Sequence, residues 1–596
     1  MSSFTRTHTS VTSLIAAAIF IGILAGFGLT TLGFGPGVQL RTQPLPENVV
    51  ITPDHDVTPL DESSHDPPQS PAGDQELQYL KDIVARTNGF YARDYSLWLG
   101  WNNMRYIIET ALLHGRVLNR TTIIPSFVYA RACEFDIATC AAYAPMVNRG
   151  DATNTDEWRH LPIEQQMAWR IPISLMFNLT HLRQSHAVVT TADYLRLHNI
   201  SSTVEKSNGQ WDIETYHIKD ASGSEEPSLH IIENGWYDPE DIIRVDFISD
   251  DMRTRGGWSP QGGDSSRGQV GSWNNTSNSA IYHALMDALP GGRPILNWEE
   301  VRRVVEDGDQ IMPESSDEAV GDVLRANGFE VVYTYDGAAG GEAVKDVISP
   351  IHEAVPRHRI RGLFEDYRNI TSRVLLLHGE VHNGRKPGSL YFTSPASRSR
   401  YSQTVLYNIR LTDNVLSLAA QLKDRLIEMN SGRLWMAAHM RRGDFARLNW
   451  AMEADFGAHL ERIKRHLREG RETLLSMHGG KANTYNVPNA EPDLSIVSLD
   501  PPEENDKYYI ATDERDPKNL EYLREQGAVL ITDLLTNEDR REFGWSIMLT
   551  DVLALLEQAT LSHAAYFYAH SLNSVAGGVM NLRAGAGADP RTALLD

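Results

Sequence analysis

At 596 residues the chain exceeds what one hydrophobic core supports, so two or more domains are expected. Hydrophobic residues make up 41% and charged residues 22%, the proportions of a globular protein, yet the formal net charge is -23. That balance excludes nucleic acid as a bulk partner, because phosphate backbones are held by clustered Lys and Arg. Any basic site must be local.

Residues 14–34 (LIAAAIFIGILAGFGLTTLGF) carry no charge, and at about 1.5 Å per residue they are long enough to cross a hydrocarbon core of about 30 Å. A cleaved secretory signal competes with this reading, but its apolar core would be shorter. The length favours a retained anchor in the lipid bilayer, with 1–13 as a cytosolic tail. This describes a single-pass type II protein with a lumenal body in a secretory compartment. Residues 35–76 read as a disordered stem, since the Pro-, Asp-, Glu- and Ser-rich stretch buries too little apolar area to offset its ordering entropy. Six Asn-x-Ser/Thr acceptors follow, at Asn119, Asn178, Asn199, Asn274, Asn275 and Asn369, and suit a lumenal body. The only two cysteines, Cys133 and Cys140, either close a small loop by a disulfide or stand as free buried thiols.

In the body, 75–88 has helical spacing. Residues 96–99 read as a strand running into the turn Gly100-Trp101-Asn102, after which Ile107, Ile108, Ala111, Leu112 and Val117 share a helical face, and 121–125 is a strand. This is a βαβ opening whose turn exposes backbone N–H groups at a helix start, where anions bind. The domain it opens spans 77–410 and holds an insertion at about 198–344, with a Gly/Ser-rich loop at 255–278. Asp307-Gly308-Asp309 is a possible Asp-x-Asp metal site, but helical spacing leads into it and no strand does, so a solvated helix end is the better reading. No His/Cys cluster has zinc spacing.

The second domain, 411–596, alternates helix and strand as a doubly wound parallel sheet does: helix 412–429, strand 434–438, helix 455–471, strand 508–512, helix 517–526, strand 528–532, helix 545–558, strand 564–569 and helix 575–582. The fold class is α/β, with two Rossmann-like domains. Three polar clusters follow strands: His439, Arg441, Arg442 and Asp444; Thr512, Asp513 and Glu514; and His570, Ser571, Asn573 and Ser574. Parallel strands put their carboxyl ends on one edge, so all three are expected in one cleft with the Gly100 turn. Arg forks bind phosphate oxygens in a bidentate way, Ser571 to Ser574 supply hydroxyls and N–H groups at a helix start, and Asp513 suits a ribose or a nucleobase.

In chain order, GWNNMRYIIETALLHGRVLNRTTIIP, HMRRGDF, YYIATDE and HSLNSVAGGV resemble the motifs of the protein O-fucosyltransferase-like glycosyltransferases. The resemblance implies a GT-B architecture of two domains facing a cleft, GDP-fucose as donor, a protein or glycan acceptor, inversion, and no metal or other cofactor. It implies that Arg441 neutralises the departing GDP, with His439 and Asn102 against the nucleotide sugar. Two positions depart from the family pattern. Its Ser-[Ser/Thr]-Phe-Ser stretch is Asn573-Ser574-Val575-Ala576 here, and the position of a catalytic Glu in some members is Leu99. The departures keep open a transferase for another sugar nucleotide and a catalytically inactive sugar- or partner-binding protein.

Overall fold

The computed structural model describes residues 71–95, 100–148, 166–206, 210–216, 228–265, 268–275, 277–336, 346–379, 390–447, 450–571 and 573–596. The expected anchor at 14–34, nearly all of the expected stem, and Leu99 lie outside them. Among the described residues no helix is long and apolar enough to cross a membrane. Two compact units are present: one is 71–443 with 452–596, and the other includes 444–451.

In the large unit, helix Pro71–Val84 leads to β1 (Phe90–Arg93), all four residues of which are buried. β1 lies ahead of the strand expected at 96–99, which falls outside the described residues. Then come α1 (Trp101–Val117) and β2 (Thr121–Ile124). The first sheet is completed by β3 (Val188–Thr190), β4 (Leu229–Glu233) and β5 (Val374–His378). Its order is β3-β2-β1-β5-β4 and every pairing is parallel, with Phe90 opposite both Val374 and Thr121. β5 reads VLLLH with its four apolar residues buried, the continuous run required of a strand covered on both faces. α1 lies hard against β2, since a Cβ on Gly115 would come within 2.1 Å of Thr122 Oγ1.

The interval 198–344 supplies the edge strand β4. It also contributes to a small parallel sheet of Ile243–Val245, Ile360–Gly362 and Leu390–Tyr391, and to the antiparallel pair Phe329–Tyr335 and Pro350–Pro356.

The second half is built from α2 (Asp413–Met429), β6 (Met436–Met440), α3 (Phe456–Met477), β7 (Tyr508–Thr512), β8 (Ala528–Val529), α4 (Thr550–Ser562), β9 (Tyr566–Ala569), α5 (Ser574–Gly585) and β10 (Ala593–Leu595). The sheet order is β8-β7-β6-β9-β10, again all parallel. Order runs one way from β6 to β8 and the other way from β9 to β10, so the reversal lies between β6 and β9. In open α/β sheets such a reversal leaves a crevice beyond the strand ends. Strand residues alternate between two cores: Ala437, Tyr509 and Phe567 join the one shared with α1 and β5, while Ala438, Ile510 and Tyr568 face α3.

Two differences from the sequence reading have local causes. The Leu434 N–H bonds to the Asp500 carbonyl at 3.0 Å, so β6 begins at Met436 and takes in His439. β8 stops at Val529 because the Leu530 N–H turns to the Asp533 carboxylate at 3.0 Å, opening the short helix Ile531–Leu534. β10 was not expected at all. Cys133 and Cys140 form a disulfide. Asn119, Asn199, Asn274, Asn275 and Asn369 are exposed, whereas the half-buried Asn178 accepts a bond from the His181 N–H as a helix cap.

Candidate active site

β6 delivers its last residues to opposite sides of the sheet. His439 shares the face of Trp435 and Ala437, and Arg441 follows it two residues on. The Arg441 guanidinium donates to Asp513 Oδ2 at 2.6 Å and keeps 31% of its side chain exposed, so it is both aimed and accessible. Asp513 Oδ1 accepts from the backbone N–H groups of Arg442 at 2.7 Å and Gly443 at 3.2 Å. One carboxylate thus fixes the turn after β6 and orients its arginine. Gly443 makes this closure possible, because a Cβ there would lie 2.2 Å from Asp513 Oδ2. Expected as a ribose or base contact, Asp513 is occupied here in holding the neighbouring strand end.

Arg442 turns the other way. Its guanidinium donates to the carbonyls of Glu453 (2.7 Å) and Ala454 (3.1 Å) and lies over the Phe456 ring, so it braces the α3 side. The side chain of Asp444 lies outside the described part of the structure. Within its own unit, the Trp450 N–H bonds to the Phe445 carbonyl at 2.9 Å and the two rings meet edge to face.

Across the reversal point, Asn573 donates its amide to His439 Nδ1 while its Oδ1 accepts from the Val575 N–H at 3.0 Å, capping α5. Because the amide nitrogen faces the ring, Nδ1 is the acceptor and the ring proton sits on Nε2. Burial, then the charges of Arg441 and His459, push the His439 imidazole down to about 3, so it is a neutral hydrogen-bonding group. The Ser571 N–H bonds to the Asp596 carbonyl at 2.9 Å. Ser574 opens α5, and its carbonyl accepts from Tyr106 Oη on α1 at 3.1 Å.

That last bond joins the two halves, and a second one does the same: Gln558 Nε2 on α4 donates to Asn102 Oδ1 at 3.0 Å. α1 and α5 cross within their first turns, at Gly578, where a Cβ would lie 2.6 Å from Gln558 Oε1 and 3.5 Å from Asn102 Oδ1. α1 begins at Gly100 with no side-chain cap, and an added Cβ on Gly100 would lie 3.9 Å from the Arg131 guanidinium. Two helices therefore bring their positive ends together, and the cap of α5, Asn573, contacts His439, two residues before Arg441, an arrangement suited to an anion. Trp101 is turned inward, stacked on Phe177 at 6.0 Å.

Glu557, one residue before Gln558, was not found from the sequence. Its Oε1 accepts from Tyr509 Oη at 3.5 Å. Part of the side chain reaches solvent, but the carboxyl group lies deep, and burial, with Glu134 and Asp513 nearby, pushes it up to about 8. A carboxyl poised near neutrality among charged groups is a candidate for proton transfer. In the sequence LALLEQATL it reads as an ordinary helix position, and only the tertiary contacts single it out.

Asp307 is the last residue of helix Trp298–Asp307, with Gly308 as its cap and Asp309 in the left-handed region. Among the described residues no three His, Cys, Asp or Glu side chains cluster as metal ligands do.

The chain is a mixed α/β protein with two five-stranded parallel sheets, and the strand-order reversal of the second is where an open α/β sheet leaves a crevice. The chain matches no protein family and no curated protein sequence. Among solved structures it is similar to POFUT1 in complex with GDP-fucose, at 12% identity and a TM-score of 0.32, covering 85% of this chain and 98% of that one. POFUT1 in complex with GDP gives 11% and 0.32 at the same coverage. Superpositions this loose leave function to be read from the side chains of the crevice themselves.

Proposed function

We propose that this chain is a glycosyltransferase that transfers fucose from GDP-fucose to a hydroxyl of a protein or glycan, with inversion. The observation that carries the reading is Arg441, held by Asp513 at the end of β6 beside the reversal point of the second sheet, two residues after the His439 that the α5 cap Asn573 contacts. A leaving diphosphate gains negative charge as its bond to the sugar breaks, and prepositioned donors stabilise that charge with no reorganisation. His439 presents Nε2–H as a neutral donor, and the hydroxyl and N–H groups at the start of α5 suit the same phosphates. Glu557 is the group proposed to accept the proton of the attacking hydroxyl. No metal is required where an arginine and two helix ends supply the positive charge.

The motif resemblance supports fucose as the sugar, and the Cys133–Cys140 disulfide supports an oxidising compartment, in keeping with an anchor at 14–34 and a lumenal body in the Golgi or endoplasmic reticulum. A transferase for another sugar nucleotide is the second reading. The observation favouring it is Asn573, which is committed to His439 and to the α5 cap where the resembled family has a serine.

The test is calorimetric titration of the purified chain with GDP-fucose, GDP-mannose and UDP-sugars, followed by a transfer assay with chelator present. Preferential GDP-fucose binding and chelator-resistant turnover are expected. Tighter binding of a UDP-sugar sinks the fucose assignment, and binding of no nucleotide sugar sinks the enzyme reading.

A further inference from the structure

A cavity of about 560 Å³ lies at the opposite end of α1 from the crevice, lined by residues of that helix, by His186 and by residues of the segment between β4 and β6. α1 is 17 residues long, which at about 1.5 Å per residue separates the two places by about 25 Å. The volume is that of a small-molecule site. Phe364, Phe392 and Tyr401 contribute apolar and aromatic wall.

Its charges are unusual for this chain. The cavity is lined by Arg116, Arg253, Arg368 and Arg400 against Asp246, Asp250 and Glu365. Arg253 is spoken for by Glu365, and Asp246 Oδ1 accepts from the N–H and the hydroxyl of Thr393 at 3.0 and 3.2 Å. The other three arginines are exposed, and among the described residues none forms an ion pair with a carboxylate. Arg400 donates to Ser397 Oγ at 2.7 Å, and Arg368 lies over the Phe364 ring at 4.8 Å. Burial, and after it the charge of Arg400, lowers Arg116 below its usual range, so these two guanidinium groups stand close enough to repel. Asp250 also lines the space, but among the described residues it forms no ion pair with Arg116, Arg368 or Arg400, so in a protein of net charge -23 this group of cations stays uncompensated by direct pairing.

We propose that this cavity is a second ligand site, which takes a phosphate or sulfate monoester carried on a ring-shaped body. The tetrahedral anion sits among Arg116, Arg368 and Arg400, and the ring enters between the aromatic walls. A monoester matches the site better than a carboxylate, because three guanidinium groups converging from different helices suit a tetrahedral group with several acceptor oxygens. The assignment is independent of the crevice and of the donor proposed for it.

The experiment titrates the full chain with glucose 6-phosphate, glucose 6-sulfate, inorganic phosphate and glucose, and compares the wild type with an Arg116→Ala/Arg400→Ala variant. Saturable binding of at least one monoester is expected, with inorganic phosphate weaker, glucose silent, and affinity at least tenfold lower in the variant. Which monoester binds better distinguishes a phosphorylated from a sulfated ligand. GDP-fucose titration of the same variant should be unchanged, which separates this site from the crevice. In crystals soaked with selenate, anomalous density should lie between Arg116 and Arg400. Absence of monoester binding at millimolar concentration, equal affinity in wild type and variant, or selenate density elsewhere only would each overturn the proposal.

Discussion

The crevice at β6 and the cavity at the far end of α1 both gather arginine, and they treat it in opposite ways. In the crevice Arg441 is held by a carboxylate that also grips two backbone N–H groups, so its direction is fixed before any ligand arrives. At the cavity, Arg116, Arg368 and Arg400 form no ion pair among the described residues, although Asp246, Asp250 and Glu365 line the same space. A fixed, partly neutralised arginine suits charge that appears only in a transition state, whereas uncompensated cations suit a ligand that is already an anion. On the two proposals, the contrast is between a place for turnover and a place for binding.

The strongest test of that division is Arg441→Ala. Loss of a donor aimed at developing charge is expected to lower turnover by about a hundred- to a thousandfold, roughly 3 to 4 kcal/mol, with little change in thermal stability. Turnover at the wild-type level would remove Arg441 from the mechanism. Gly443→Ala should reproduce part of the loss by driving Asp513 off the turn, and the same kinetic assay reads it.

Glu557→Gln is expected to reduce turnover by about a hundredfold. With a carboxyl at about 8, the wild-type rate should climb as pH rises toward that value, and the variant should lose this limb. Stability gives a second readout with a definite sign. The folded state keeps the proton that the unfolded chain loses near its ordinary value of 4.5, so stability falls as pH rises from there to about 8. Denaturant unfolding of the Gln variant should show a flatter dependence across that window, and an unaltered slope would count against a buried neutral Glu557.

Two smaller effects concern the scaffold. Removing the Cys133–Cys140 disulfide, whose partners are 7 residues apart, should cost about 2 to 3 kcal/mol by the loop-entropy estimate, checked by thermal unfolding. His439→Ala leaves the buried Asn573 amide without its partner, a loss of about 1 to 3 kcal/mol. Turnover of the wild type should show no titration of His439 between pH 5 and 8, since its imidazole is already neutral there.

The second sheet was largely legible in the sequence, because its strands are apolar runs broken by turn residues and separated by helices of clear periodicity. The first sheet was legible only in part: β2 matches the strand expected at 121–125, while β1 and the edge strands were not read. β1 is only four residues long and ends in the buried Arg93, so no apolar run announces it. β10 escaped notice for a similar reason, a three-residue strand with no residue fully buried. The sequence singles out Arg441, His439, Asn102 and Asn573 because strand ends and helix starts carry local signals. What it missed depends on partners far along the chain. Arg442 differs from Arg441 only in which face of β6 it leaves from, and Glu557 is distinguished by a tyrosine on β7, far from it in sequence.

The hydrogen bonds that shape the crevice have a kinetic consequence. Arg441 and Asp513 are 72 residues apart, His439 and Asn573 134, and Asn102 and Gln558 456. Contacts of such sequence separation must meet the loop-closure cost before they yield any stabilisation, so they form late. Ala437 pairs with Tyr509 and Met436 with Tyr566, so the Arg441–Asp513 and His439–Asn573 bonds close along with the second sheet, whereas the Asn102–Gln558 bond closes only when both halves have docked. Nucleotide binding at this crevice would therefore report completion of folding across the large unit, and would appear after the sheets are already in place.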